Sequence, residues 1–222
     1  MNATTGTTGG TLEGELQQTE LGSFVSKNKG FVVGLIVLAI VAIFGYGIFS
    51  IQKNKSDEVK ADKVAAFTTT FAKNYTDKKI DAAQLSKAYQ ELVSEVGSFV
   101  GLTPVTISLS DQLVKNNEKE MALSFLEKLN DVSSSTARFF IDTRLAALYE
   151  DMGKVDMAIA SLEKVNQGGL KLLEEKIYLD LGRLYMAKGD KEKARASFDY
   201  IKKNLAQDEY KKLADIYLSK LK

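Results

Sequence analysis

The side chains that could do chemistry in this chain are carboxylates, lysines and arginines, 29 acidic against 30 basic, because histidine and cysteine are both missing. Without imidazole there is no Ser-His-Asp or Cys-His pair, no histidine metal ligand and no group that titrates near neutrality unaided. Without thiols there is no thiolate nucleophile, no disulfide and no sulfur ligand, which suits an oxidising compartment. Carboxylate or lysine catalysis needs groups tuned by burial or by close neighbours in a shaped pocket. No spacing in the sequence marks such a cluster, so no catalytic, cofactor-binding or metal-binding residue is expected. A net charge of +1 offers no phosphate-neutralising surface, and nucleic acid is not an expected partner.

What the spacing does mark is contact. Ile107, Asp111 and Val114, then Phe140, Thr143, Ala147 and Glu150, then Leu179, Arg183 and Met186 recur at steps of three and four. Such steps place residues on one face of a helix. The three faces mix apolar anchors with isolated charges, a surface suited to a partner segment. The same pattern would serve for packing against the helices at 56–97, and the sequence leaves an open wall and a filled one as alternatives.

These residues owe their placement to a repeat of 36 residues. Tyr178, Leu181, Gly182 and Tyr185 share one helix face, Gly189-Asp190 turns the chain, and Ala194, Phe198 and Ile201 face back from a second helix. Moving back one period gives Leu145, Ala146, Tyr149, Gly153, Ala158, Leu162 and Val165. A second step gives Leu109, Ser110, Leu113, Asn117, Ala122, Leu126 and Leu129. Small residues at the close approach of two antiparallel helices, with large ones on either side, are tetratricopeptide spacings. The usual period is about 34, so the extra residues fall in loops such as Gln167-Gly168-Gly169 and Ser133-Ser134-Ser135. Residues 103–222 are therefore read as tetratricopeptide-like repeats, with Gln207 to Lys222 as a terminal cap whose Tyr210, Leu213, Ala214 and Tyr217 share a face.

Before the repeats, residues 56–102 read as N-terminal helices. Val59, Val64, Phe67 and Phe71 recur at helical intervals, and Asp81 with Gln84 forms a capping box ahead of Leu85, Tyr89, Leu92, Val93 and Val96. Thr103 followed by Pro104, the single proline, suits an N-cap with proline in the first turn. Upstream again, Phe31 to Ile51 carries no charge over 21 residues, a helix about 31 Å long against a hydrocarbon core of about 30 Å. It reads as a membrane span within an anchor at 23–55. Gly30 and Gly34 form a GxxxG that would let two such helices approach closely. Residues 1–22, rich in Gly and Thr, read as a disordered tail, and 20–30 as either a short surface helix or a flexible leader. Lys27 and Lys29 precede the span while Lys53, Lys55, Lys60 and Lys63 follow it, a count that favours a cytoplasmic C-terminal side. Long domains cross regardless of flanking charge, so the topology stays open on this evidence.

The fold expected is all-α, a single N-terminal transmembrane helix followed by a tetratricopeptide-like α-solenoid. With the runs FVSKNKGFVVGLIVLAIVAIFGYG, LVKNNEKEMALSFLEKL, TRLAALYEDMGKVDMAIASLEKV and YMAKGDKEKARASF in that order, the chain resembles the YfgM-like ancillary subunits of the bacterial Sec translocon. The resemblance implies a single-pass protein of the bacterial inner membrane, its N-terminus cytoplasmic and its repeats periplasmic. It implies the Sec translocon and a membrane-anchored periplasmic prolyl isomerase chaperone as partners, with unfolded client polypeptides, the lipid bilayer as support and no enzymatic activity. An envelope scaffold or assembly factor built from the same repeats is the competing expectation.

Overall fold

The computed structural model describes residues 28–205 and 207–221, without the side chains at 29, 30, 32, 33, 35–37 and 48. The expected tail at 1–22, most of the leader at 20–30 and the surroundings of Gly30 lie outside the described residues. All described elements are helical. The chain divides into two units, Met1–Ser56 and Asp57–Lys222.

Helix α1, Lys29–Phe67, is 39 residues long. In the first unit its described apolar side chains, Phe31, Leu38, Val41, Ile43, Phe44 and Phe49 among them, are exposed. Among the described residues no helix is long and apolar enough to cross a membrane. The expected span Phe31–Ile51 falls in part on positions whose side chains are not described, which leaves 38–47 as its longest continuous described run.

The second unit is a stack of helix pairs. A π-helical turn, Thr68–Ala72, follows α1 and leads into α2, Lys73–Thr76. Three consecutive threonines occupy that turn, and the hydroxyls of Thr68 and Thr69 donate to the carbonyls of Val64 and Ala65 at 2.7 and 3.0 Å. β-Branched residues bonding back to the preceding turn loosen a helix ladder. Helix α3, Ala82–Val96, is held at its start by the expected capping box: the Gln84 amide donates to Asp81 at 2.8 Å and the Asp81 amide to the Gln84 side chain at 3.1 Å. Val64, Phe67, Leu85, Tyr89, Leu92 and Val96 are buried, Val93 is half-buried, and Val59 and Phe71 are exposed.

Three further pairs follow: α4, Thr103–Lys115, with α5, Lys119–Glu127; α6, Ser135–Asp151, with α7, Val155–Gln167; and α8, Glu174–Lys188, with α9, Lys191–Asn204. Helix α10, Asp208–Lys220, packs on the last pair. The 36-residue register is legible in the packing. Ala122, Ala158 and Ala194 are completely buried, as are Leu129 and Ile201, with Val165 nearly so. Asn117, Gly153 and Gly189, each at the turn between paired helices, adopt left-handed φ values of 64, 72 and 86°. Asp190 then caps α9 through a 3.0 Å bond from the Lys193 amide.

Neighbouring pairs are tied by contacts that repeat with the register. The Tyr149 hydroxyl donates to Glu127 at 2.7 Å and the Tyr185 hydroxyl to Glu163 at 2.5 Å, each reaching back 22 residues. Burial and the adjacent carboxylate push the Tyr149 phenol up to about 12. The pair α2/α3 joins the stack at its N-terminal end: Tyr89 stacks on Phe125 at 3.9 Å and bonds Thr106 at 2.7 Å, while Asn116 donates to the Tyr75 hydroxyl at 2.8 Å. Thr103 is not the N-cap expected. A 3-10 turn, Val100–Leu102, runs straight into α4, so Thr103 is already helical, and its hydroxyl is buried without a hydrogen-bond partner.

Candidate binding wall

The first helix of each pair, α4, α6 and α8, carries the residues expected to make contacts. Between α4 and α6 lies a groove of about 470 Å³ lined by Asp111, Val114 and Ala147. Between α6 and α8 lies another of about 380 Å³, lined by Phe140, Thr143, Ala147, Glu150 and Arg183. Seven of the ten expected residues thus line two adjoining grooves. Leu179 and Met186 pack half-buried against the core, and Ile107 is half-buried and lines neither groove. Of the described residues before α4, Val64, Thr68, Ala72 and Thr76 face the opposite edge of α4 across a third groove with Pro104 and Ser108, and do not fill the other two.

The charges on this wall are not isolated. The Arg144 guanidinium donates to both Asp111 oxygens at 3.1 and 3.2 Å, and Arg183 to both Glu150 oxygens at 3.1 and 3.3 Å. Arg183 also donates to Asp180 at 3.0 Å, and Asp180 is paired with Lys176. These carboxylate partners, together with the donor geometry of the fork, hold the Arg183 guanidinium above its ordinary range against the cost of partial burial. Such half-exposed pairs add little to stability. Their effect is on the surface, since clamping the charges to one another leaves the groove floor to apolar atoms.

Arg144, Lys176 and Asp180 were not singled out in the sequence, although Arg144 follows Asp111 by 33 residues as Arg183 follows Glu150. That shared offset was the available signal. Leu173 was missed too; it lines the α6/α8 groove 62% exposed, with a left-handed φ of 53°. Beside it Phe140, 41% exposed, meets Phe139 edge-on at 5.4 Å. The arrangement can grip an apolar segment of another chain. Among the described residues no group of three or more metal-ligating side chains comes together.

Residues 23–222 match the family model of the tetratricopeptide repeat-like domain. The chain belongs to that family. It carries tetratricopeptide-like helical repeats, and the pairs α4/α5, α6/α7 and α8/α9 follow the 36-residue register. The chain is also similar to a protein named ancillary SecYEG translocon subunit from Aggregatibacter actinomycetemcomitans, at 25% identity over 199 residues, 87% of this chain and 91% of the relative. The resemblance to YfgM-like subunits read from the sequence is borne out by these two findings.

Proposed function

We propose that this protein is a non-catalytic interaction module tethered in the bacterial inner membrane beside the Sec translocon. The observation that carries the reading is the likeness, over most of both chains, to a relative named for that translocon. Phe31 to Ile51 serves as the single span, and the family match begins at residue 23, ahead of it. The exposed apolar side chains along α1 in the first unit are what a bilayer would cover. The N-terminus is cytoplasmic and the repeats are periplasmic, where they meet a membrane-anchored prolyl isomerase and emerging client polypeptides. Gly30 and Gly34 supply a close-approach face for a second copy within the bilayer.

In this reading the wall built by Asp111, Val114, Phe140, Thr143, Ala147, Glu150 and Arg183 is the docking surface, with Ile107, Leu179 and Met186 supporting it. Apolar anchors such as Phe140 and Val114 contribute affinity, and the clamped charges define its edges. Tethering raises the effective concentration of a partner in the same membrane to roughly the millimolar range, so modest contacts suffice. Photoreactive residues introduced in place of Phe140 or Met186 should crosslink to translocon or chaperone subunits in cells, whereas recovery only of envelope assembly proteins would favour the scaffold reading. A compartment reporter fused after Lys222 should be active in the periplasm. Activity confined to the cytoplasm would remove the topology and the translocon role together.

A further inference from the structure

In the third repeat, a space bounded by α8, α9 and the end of α7 is filled by the chain itself. Tyr178 and Tyr200 stack at 3.9 Å, Asn166 donates to the Tyr178 hydroxyl at 3.0 Å, and the Tyr200 hydroxyl donates to Glu174 at 3.2 Å. One period earlier, those four positions hold Asp142, Lys164, Asn130 and Arg138. All four line a single cavity of about 370 Å³ in the second repeat. In the first repeat the counterpart of Asp142 is Thr106, sealed by the Tyr89 hydroxyl, whose ring stacks on Phe125. In the second repeat this space is open and lined by Asp142, Lys164 and Arg138.

Asp142 is the group that has no reason to be there on packing grounds. It is 9% exposed, yet among the described residues its carboxylate accepts no hydrogen bond and forms no ion pair. Its oxygens open onto the cavity, since the buried side-chain polar atom left without a partner among the described residues is the Thr103 hydroxyl. Its carboxyl is held above the usual range, chiefly by burial, with Lys164 and Arg138 pulling it partly back. Those two cations are exposed and also form no ion pair among the described residues. Phe139, Val165 and Leu170 supply the apolar part of the lining, beside the polar Ser135 and Gln167.

We propose that this cavity receives a tyrosine side chain from a partner polypeptide, its phenol hydroxyl donating to the Asp142 carboxylate and its ring taking the place that the chain's own rings fill one repeat later. A phenol supplies the donor that Asp142 lacks. Its ring face suits the cations at the rim. A partner lysine or arginine would meet Lys164 and Arg138, and a carboxylate would meet Asp142, whereas a neutral hydroxyl opposes none of them. The inference rests on the cavity alone and holds whichever assembly the protein serves.

The test uses the full chain in nanodiscs with ¹³C-labelled valine and leucine methyls, titrated with N-acetyl-L-tyrosinamide and with N-acetyl-L-phenylalaninamide. The expected result is saturable shifts at Val165 and Leu170, with the tyrosine probe binding about ten-fold more tightly, since a site built to bond a hydroxyl rejects the analogue lacking it. Asp142→Ala should reduce the tyrosine probe to the level of the phenylalanine probe. Combining Asp142→Tyr with Lys164→Tyr should fill the space internally and abolish both. Shifts absent from those methyls, equal affinity for the two probes, or undiminished tyrosine binding in Asp142→Ala would each overturn the assignment.

Discussion

Adding one methyl group at Gly182 should destabilise the repeat stack, although Gly182 lies in the middle of a helix where alanine is ordinarily preferred. A Cβ built at Gly182 falls 2.4, 2.5 and 2.8 Å from three carbons of the Phe198 ring. The ring cannot retreat freely, because Phe198 is completely buried and stacks at 5.1 Å on Tyr217 of α10. Relief therefore moves α9 against α8 or pushes α10 outward. Overpacking of this kind costs about 1 to 3 kcal/mol, and a contact this short belongs at the upper end. Helix propensity returns about 1 kcal/mol, so the net loss for Gly182→Ala is about 2 kcal/mol. For a unit of this size that lowers the melting midpoint by about 4 to 8 °C. The second repeat supplies the control, since Ala146 stands at the Gly182 position and Leu162 at the Phe198 position. Phe198→Leu should therefore absorb the added methyl. Thermal melts by far-UV circular dichroism of Gly182→Ala, Phe198→Leu and the double variant form the cycle. A single Gly182→Ala as stable as the parent, or a double variant no better than the sum of the singles, would refute the packing argument.

Two further outcomes follow from individual groups. Asp142 has a folded-state pKa raised mainly by burial, with Lys164 of α7 and Arg138 of α6 opposing the rise. The native state then holds its proton to higher pH than the unfolded chain does, so this group's contribution to stability is lost as pH rises from the ordinary carboxylate value through the raised one. Asp142→Asn should remove that loss, and its urea midpoint should gain on the parent's as pH climbs from acid to neutral; parallel pH profiles would contradict this. Asp81→Ala deletes the capping box of α3 and should cost about 1 kcal/mol, read as a lower urea midpoint at unchanged slope.

The parts of the fold that could be read from the sequence are those where the backbone itself makes the demand. Left-handed turns at Asn117, Gly153 and Gly189 and close helix contacts at Ala122, Ala158 and Ala194 restrict residue type strongly. Their recurrence set the register, and from it the helix face that lines the grooves. The capping box at Asp81 was legible for the same reason, being a local pattern. Side-chain partnership between repeats was not. Asp111 with Arg144 and Glu150 with Arg183 share an offset of 33 residues, but which side chains meet depends on how one pair rotates onto the next, which no local pattern encodes. Thr103 was misplaced because the 3-10 turn before α4 extends the helical path by one turn. The exposure of Phe71 reflects the π-helical turn it occupies, where the wider winding carries it off the buried face.

The same register explains why an open, charged cavity occurs in the second repeat and a ring pair in the third. In a stack, stability is approximately a sum over each repeat and its interfaces with its neighbours. The second repeat has a repeat on either side, the first reached through Arg144 and Tyr149 and the third through Arg183 and Tyr185. Among the described residues the third is followed by α10, and Tyr178 and Tyr200 stack within it. The groove wall follows the same logic: its grooves meet at Ala147, on the helix that both flanking repeats hold in place. The middle repeat is thus the one that carries the open charged cavity and lines both grooves of the wall.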